Sequence, residues 1–206
     1  MPSMSNHWVR LVAVTMTLAL AGTAEAAGDA QRGRTIGYTC LGCHGIANYK
    51  NVYPTYSVPK LVGQHPEYIV AALKAYRGKQ RSHGTMYAQA SSLSDQDMED
   101  VAAYLADAVL PMGSPATGTV PQKVSELCSA CHGANGIGIT GDYPTLAGQH
   151  ADYLERALVE YQKGDRKNPI MGSFAGALSA AEVKAIADYY GRQRPALQTV
   201  RRPNWL

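Results

Sequence analysis

Two segments of the chain repeat one spacing of apolar residues. The first segment carries them at Tyr68, Ile69, Ala72, Leu73 and Tyr76, and the second at Tyr153, Leu154, Ala157, Leu158 and Tyr161. The spacing i, i+1, i+4, i+5, i+8 places these side chains in one stripe along a helix of 3.6 residues per turn. The pattern therefore predicts one amphipathic helix in each segment.

A further helix is predicted after each of these two. Ser94-x-x-Asp97 and Ser179-x-x-Glu182 have the form of capping boxes, in which a hydroxyl and an acidic side chain bond backbone N–H groups at a helix start. The apolar positions that follow continue a buried face: Val101, Ala102 and Leu105 in the first copy, and Ile186, Ala187 and Tyr190 in the second.

These elements belong to an internal repeat. Residues 59–65 match residues 144–150 with the shared pattern P-x-L-x-G-Q-H, and Met86 matches Met171 at the same separation of 85 residues. At the cysteines the separation is 88, so the first half holds three extra residues in the loop before Pro59. The chain is therefore expected to be all-α and built from two related halves.

The boundaries of the halves follow from composition. Residues 111–121 contain three prolines and two glycines, which is typical of a linker. We expect a first domain over 27–110, a linker over 111–120, and a second domain over 121–206 that includes a tail.

The amino-terminal segment has the pattern of a secretory signal peptide. Arg10 leads into an apolar run over 11–21, and Ala24-Glu25-Ala26 has the small-x-small form of a cleavage site. We expect residues 1–26 to be removed on export. A retained membrane anchor is the alternative, but the apolar run is short for a bilayer span.

All four cysteines fall in two tight pairs, each followed directly by histidine. Cys40 and Cys43 precede His44, and Cys128 and Cys131 precede His132. C-x-x-C-H is the attachment signature of c-type haem, in which both thiols bond the haem vinyl groups and the imidazole ligates iron.

Other uses of these cysteines explain less. A zinc site of the C-x-x-C…C-x-x-C type would leave the two following histidines without a role. We therefore expect two covalently bound haem c groups, with a helix ending at each motif, over 31–39 and 122–130.

The ligand opposite each histidine decides the chemistry. A thioether closes the iron and raises its reduction potential, whereas an open face allows reaction with peroxide or oxygen. Met86 and Met171 share one repeat position, in a predicted loop before the last helix, and are the expected sixth ligands. Met98 matches Val183 and is interpreted as a core residue.

Three other histidines are candidates with a simpler interpretation. His65 and His150 are paired by the repeat and could ligate haem, but we expect them to help cap a helix start. His83 matches Asn168 and is expected in an exposed loop.

A ligating imidazole usually donates its second N–H to a carbonyl. Pro59 and Pro144 occupy matching positions after the two motifs, and their carbonyls are the predicted acceptors for His44 and His132. Pro54 is an alternative in the first half, because Tyr-Pro-Thr occurs there as it does around Pro144.

Together these motifs resemble the dihaem cytochromes c of the cytochrome c4 type over nearly all of the expected mature chain. The resemblance implies tandem class I cytochrome c domains related by pseudo-twofold symmetry, with His/Met ligation at both irons. It also implies an electron carrier in the bacterial periplasm, often loosely associated with the membrane. The longer loop before Pro59 departs from the pattern.

We therefore expect an electron-transfer protein that is not an enzyme, working between a respiratory donor and a terminal oxidase or reductase. The alternative is a dihaem subunit of a dehydrogenase complex, for example of the sulfide-oxidising flavocytochrome type. A peroxidase would need an open iron.

The net charge and the arginine-rich tail say little about the partners of this protein. The net charge of +3 gives no sign of a nucleic-acid partner, and a monomer or weak dimer is expected. The arginine-rich tail from Arg192 onward either docks to an anionic partner or packs over the fold.

Overall fold

The computed structural model describes residues 28–107, 110–111 and 113–201. The expected signal peptide and the last five residues of the tail lie outside these ranges. The helices of the first half are α1 (Ala30–Ile36), a 3₁₀ turn (Gly37–Cys40), α2 (Leu41–His44), α3 (Pro66–Arg77), α4 (Gly84–Ser91) and α5 (Asp95–Ala106).

The second half repeats this order with one change at its start. Its helices are a π turn (Val124–Cys128), α6 (Ser129–His132), α7 (Ala151–Lys163), α8 (Pro169–Gly176) and α9 (Ala180–Gly191). Over the described ranges the backbone forms isolated β-bridges but no strand. The all-α prediction is confirmed.

The helices predicted before the two cysteine motifs are observed, but each includes an irregular turn. The helix expected over 31–39 ends at Ile36, where Gly37 caps it, and the chain tightens into the 3₁₀ turn. The segment expected as a helix over 122–130 is helical from Gln122, and it contains the π turn over 124–128. Short 3₁₀ and π segments commonly occur where a helix adapts to a functional site.

The predicted capping boxes at the start of α5 and α9 are confirmed. In each, the serine hydroxyl accepts from the N3 backbone N–H and the N3 carboxylate accepts from the serine backbone N–H. The predicted buried face is also confirmed, at Val101, Ala102, Leu105, Ile186, Ala187 and Tyr190. These faces direct α5 against α1 and α3, and α9 against α7.

A glycine permits the contact between α1 and α5. A Cβ atom on Gly33 would lie 1.9 Å from the carbonyl oxygen of Asp100, closer than any side chain tolerates. Asp100 stabilises the same contact, because its carboxylate accepts hydrogen bonds from the backbone N–H of Asp29 at 2.8 Å and from the guanidinium of Arg32. The two helices therefore pack backbone to backbone.

The two halves join through a reciprocal pair of glutamines. The Gln64 side chain exchanges two hydrogen bonds with the backbone of Thr145, at 3.0 and 2.9 Å. The Gln149 side chain does the same with the backbone of Lys60, at 2.9 and 3.0 Å. Because each residue is 85 positions from its counterpart, the contacts follow the pseudo-twofold relation of the repeat.

A second reciprocal contact runs beside the first. The N–H of Ser82 donates to the carbonyl of Asp165 at 2.8 Å, and the N–H of Lys167 donates to the carbonyl of Gln80 at 2.7 Å. The pairing brings Arg81 and Arg166 opposite each other in an antiparallel bridge.

The tail packs across both halves. Gln198 and Val62 exchange backbone hydrogen bonds at 2.9 and 3.0 Å, and the N–H of Leu197 donates to the carbonyl of Ala147 at 2.8 Å. The side chain of Val200 belongs to the hydrophobic core of the first half. Of the two expectations for the tail, packing over the fold is the one observed as far as residue 201.

Across the described ranges, we find no single helix that is both long and apolar enough to cross a membrane. The bent pair α8 and α9 meets that test by composition, with 117° between its axes.

Candidate haem-attachment sites

The first cysteine motif opens onto a cavity in the first half. The 3₁₀ turn and α2 present Cys40, Cys43 and His44 to this cavity, and Met86 lines it as well. Apolar side chains from α3 and α5 form much of the remaining wall, among them Ile69, Leu73, Val101 and Leu105.

A proline carbonyl fixes the orientation of the first imidazole. Nδ1 of His44 lies 2.9 Å from the carbonyl oxygen of Pro59. Because a carbonyl only accepts, Nδ1 carries the proton and Nε2 keeps its lone pair. Burial lowers the pKa of His44, so the neutral ring persists to lower pH. The carbonyl that bonds His44 is that of Pro59 and not that of Pro54.

The second imidazole is held in the same way. Nδ1 of His132 lies 2.9 Å from the carbonyl oxygen of Pro144, and burial lowers the pKa of this ring too. The ring of Tyr143 contacts it edge to face at a centroid distance of 6.4 Å. Both motif histidines are thus neutral, oriented rings with Nε2 as the nitrogen that can ligate a metal.

The two methionines lie in helices, which differs from the predicted loop. Met86 is in the first turn of α4, and its N–H donates to Nδ1 of His83 at 3.2 Å. Met171 is in the first turn of α8, and its N–H donates to the Asn168 side chain at 3.0 Å. A polar N-cap residue before each methionine was the signal that could have predicted these helices.

The other candidate ligands have other contacts. Met98 is fully buried in the first core, as interpreted from the sequence. His65 is buried, and its Nε2 donates to the carbonyl of Gly138 at 3.1 Å. His65 and His150 stand at N-cap positions, but neither side chain makes the capping hydrogen bond that was expected.

His83 is not the exposed loop residue that was expected. Its ring is partly buried, caps α4 and lines the first cavity. Nε2 of this ring lies 3.3 Å from the Asn51 side-chain oxygen, within the longer loop of the first half.

The four cysteines form no disulfide with one another. Burial raises the pKa of Cys40, and it raises the pKa of Cys128 to about 11. The described part of the chain holds no cluster of three or more His, Cys, Asp or Glu placed to bind a metal ion.

The donor set fits haem c. Two thiols, one imidazole with a free Nε2 and one thioether line the same cavity in the first half, and its wall is largely apolar. The second half repeats the thiols, the imidazole and its carbonyl partner in the same register.

Residues of the second half complete the first cavity. Thr145, Gln149, Tyr153 and Leu154 contribute to its lining. The first cavity is therefore closed by the contact between the halves. The hydrophobic periodicity within one half does not show that the other half contributes to its cavity. The repeated Gly-Gln-His turn is the sequence signal for the segments that make this contact.

Comparison with known proteins gives one family. The cytochrome c family model matches residues 30–108 and 122–190. Cytochrome c4 of Pseudomonas aeruginosa is 35% identical over 195 residues, which is 87% of this chain and 96% of that protein. A protein of Stutzerimonas stutzeri named thiosulfate dehydrogenase electron acceptor is 33% identical, covering 90% of this chain and 94% of that protein.

The fold is similar to that of a solved relative. The crystal structure of reduced recombinant cytochrome c4 from Pseudomonas stutzeri superposes with a TM-score of 0.64 at 28% identity. The match covers 82% of this chain and 100% of the other.

Proposed function

This chain belongs to the cytochrome c family as a dihaem member of the c4 type, and from that premise we propose that it is a periplasmic carrier of single electrons with both irons closed by methionine. The two haem c groups supply a one-electron couple at each iron. Cys40, Cys43, Cys128 and Cys131 hold them covalently in this proposal. The proposed iron ligands are His44 with Met86, and His132 with Met171.

One observation carries this proposal. In the first half, His44 and Met86 line the same cavity, and the His44 ring is fixed with Nε2 as its only unprotonated nitrogen. A neutral imidazole and a thioether are the ligand pair of electron-transferring cytochromes c, and they leave no open position for a small molecule. The carbonyls of Pro59 and Pro144 act through the imidazoles, because a hydrogen bond at Nδ1 strengthens Nε2 as a ligand.

The experiment removes each thioether separately. We expect Met86→Ala and Met171→Ala each to lower the midpoint potential of one haem and to remove half of the sulfur-to-iron charge-transfer absorbance of the ferric protein. Carbon monoxide should bind the reduced variants and not the reduced parent. Met98→Leu, a swap of similar volume in the core, is the control and should change neither spectrum nor potentials.

Two results would contradict the proposal. If both alanine variants keep the absorption bands and potentials of the parent, the methionines are not ligands. If the reduced parent itself binds carbon monoxide readily, an iron is open and a peroxidase-like activity becomes the better explanation.

The domain boundaries are part of the proposal. A first domain over 27–110, a linker over 111–120 and a second domain over 121–206 agree with the two segments that match the family. Limited proteolysis of the holoprotein should cut between 111 and 120 before it cuts either domain.

Export rests on the sequence pattern of residues 1–26. The mature protein from a native host should begin at residue 27, as determined by intact-mass analysis of the purified holoprotein. Mature protein that retains the first 26 residues would favour a membrane anchor.

A respiratory donor and a terminal oxidase or reductase are the proposed partners, with at most loose membrane association and a monomeric or weakly dimeric state.

A second candidate function follows from a relative. The Stutzerimonas stutzeri protein is named as an electron acceptor of thiosulfate dehydrogenase, so this chain is also a candidate acceptor for such an enzyme. Stopped-flow mixing of the oxidised protein with a thiosulfate dehydrogenase and thiosulfate tests this directly. A stable complex of fixed stoichiometry with that enzyme, or with a sulfide-oxidising flavoprotein, would favour the subunit role over the free carrier.

A further inference from the structure

Two arginines lie buried against each other where the halves meet. Arg81 and Arg166 are opposite each other in the antiparallel bridge, and only 9% and 5% of their surfaces are exposed. Two positive charges in so little water repel each other and lose hydration, so such a pair needs compensating groups close by.

Tyrosine rings compensate part of this charge. Each guanidinium lies over two rings in the same register of the repeat, at 5.2 and 5.6 Å for Arg81 over Tyr68 and Tyr76, and at 5.6 and 5.4 Å for Arg166 over Tyr153 and Tyr161. Cation–π contact is favourable, but a neutral ring does not neutralise a guanidinium.

Of the two arginines, only Arg166 has a carboxylate close enough to offset its charge. Nη2 of Arg166 lies 3.2 Å from Glu160, whose other oxygen is 2.7 Å from Nε of Arg156. The position of Glu160 in the first half is occupied by Ala75. Nη2 of Arg81 donates to the Tyr68 hydroxyl at 2.8 Å, and no described acidic side chain pairs with Arg81.

The buried cluster also has an unused donor. Nε of Arg166 is fully buried and has no hydrogen-bond partner among the described residues. A buried charged donor without an acceptor is costly, and proteins rarely leave one. Together with the unpaired charge of Arg81, this donor points to a missing anion.

The position of Arg81 identifies that anion. Arg81 lines the cavity that also holds Cys40, His44 and Met86. Haem c carries two propionate carboxylates, and a guanidinium is the side chain best suited to bind a carboxylate through two parallel hydrogen bonds.

We propose that Arg81 and Arg166 form a carboxylate-binding pair for haem propionates at the contact between the halves, with Arg81 serving the first haem. The inference rests on the proposed function, since it takes the haem at Cys40 and Cys43 as given. Glu160 makes the pair unequal, because it offsets the charge of Arg166 and leaves that of Arg81 for the ligand.

The pair has an electrostatic consequence. A positive charge near an iron favours the reduced state, which carries one more electron, and a negative charge opposes it. Arg81 therefore raises the potential of the first haem, and Glu160 lowers the potentials of the haems near it. The charges of Arg81 and Glu160 change the haem potentials electrostatically, and neither residue is an iron ligand.

The experiment is a redox titration of the holoprotein and three charge variants. Arg81→Gln should lower the midpoint potential of the same haem whose potential falls in Met86→Ala, by a shift equivalent to roughly tenfold in the reduction equilibrium. Glu160→Gln should shift potentials in the opposite direction. Lys167→Gln makes the same charge change as Arg81→Gln on an exposed side chain beside Arg166 and should leave both potentials nearly unchanged.

The outcomes separate this inference from the proposed function. If Arg81→Gln has the spectrum of two six-coordinate haems and the parent's potentials, the propionate site is wrong while the carrier function stands. If Arg81→Gln and Glu160→Gln shift potentials in the same direction, the effect is structural and the inference also fails. Should Arg81→Gln fold poorly, the charge can be tested with Arg81→Met, which removes it without adding a polar group, and a potential equal to the parent's in a variant with two six-coordinate haems would still overturn the inference.

A dissolved anion is the other source of a carboxylate-like ligand. If the shift in Arg81→Gln is the same in buffers with and without phosphate, the ligand is the bound haem. If phosphate abolishes the difference between parent and variant, a free anion occupies the site and the inference is wrong.

Discussion

A single carboxylate, that of Asp100, organises the start of the first half. It is buried and accepts hydrogen bonds from the side chain of Gln96, the backbone N–H of Asp29 and the guanidinium of Arg32. These donors, Gln96 first and then the Asp29 N–H, lower the pKa of Asp100. The ionised form is therefore the one that the folded protein stabilises.

The depressed pKa sets the direction of a pH effect. Because the folded pKa is below the unfolded value of about 3.9, the contribution of Asp100 is complete above that value and is lost as the pH falls through the folded pKa. We expect Asp100→Asn to lower the denaturant midpoint at pH 7 and to flatten the loss of stability in acid. Glu99→Gln, a charge removal one residue away on the same helix, is the control. Equal acid dependence in the parent and Asp100→Asn would contradict this account.

Gly33 gives a second prediction at the residue scale. In Gly33→Ala the new methyl group would overlap the carbonyl oxygen of Asp100, so α1 and α5 would have to separate. We expect a loss of about 1–3 kcal/mol in unfolding free energy, or more, since overpacking of a close contact has that cost. Gly176→Ala is the matched control, because a Cβ there meets nothing within 4 Å. Equal stability of the two variants would show that the helices can move apart freely.

At the scale of elements, α5 and α9 show how firmly the sequence specifies a helix start. Their serine hydroxyls and acidic N3 side chains satisfy backbone N–H groups that have no partner within the helix. The last helix of each half is thereby fixed at its first residue, and its buried face is set against the helix that follows the Gly-Gln-His turn.

These caps have a measurable energy. We expect Ser94→Ala and Ser179→Ala each to reduce the unfolding free energy by about 0.5–2 kcal/mol, because the N3 amide loses its acceptor. Thermal unfolding followed by circular dichroism measures the loss. Ser173→Ala is the same change inside α8, where alanine is the better helix former, and should not be destabilising. A loss in Ser173→Ala as large as at the caps would contradict the capping explanation.

The sequence predicts the elements better than it predicts the contacts between them. The repeat, the capping boxes and the buried faces of α5 and α9 are local patterns with a fixed period, and all are observed. The sequence predicts a loop where the structure has the helices that carry Met86 and Met171, although His83 and Asn168 are possible N-cap residues. A helix of only eight residues has too few apolar positions to show a period.

At the scale of the whole molecule, the halves are linked by side chains whose partners lie 80 or more residues away. Gln64 and Gln149 bond backbone in the opposite half, and Arg81 meets Arg166. No periodicity within one half indicates such partners, which is why the sequence did not predict them. The pseudo-twofold relation between the halves was implied by the resemblance to the c4 type and not by the repeat itself.

The tail gives the prediction at this scale. Deleting residues 197–206 removes Val200 from the core of the first half and the backbone pairing of Gln198 with Val62. We expect the first half to unfold earlier, so that calorimetry of the holoprotein resolves two transitions in place of one. Deleting 202–206 alone is the control and should leave a single transition. Unchanged unfolding after the longer deletion would mean that the tail contributes no coupling.

The placement of Val200 also bears on the order in which the protein is made. A chain synthesised from its amino terminus lacks the last piece of its first core until residue 200 has been added. During that interval Cys40 and Cys43, and later Cys128 and Cys131, are already part of a nascent polypeptide whose first half is unfinished. All four cysteines are therefore in the chain before the first core can be completed, so attachment of both haems can precede the final packing of the amino-terminal half.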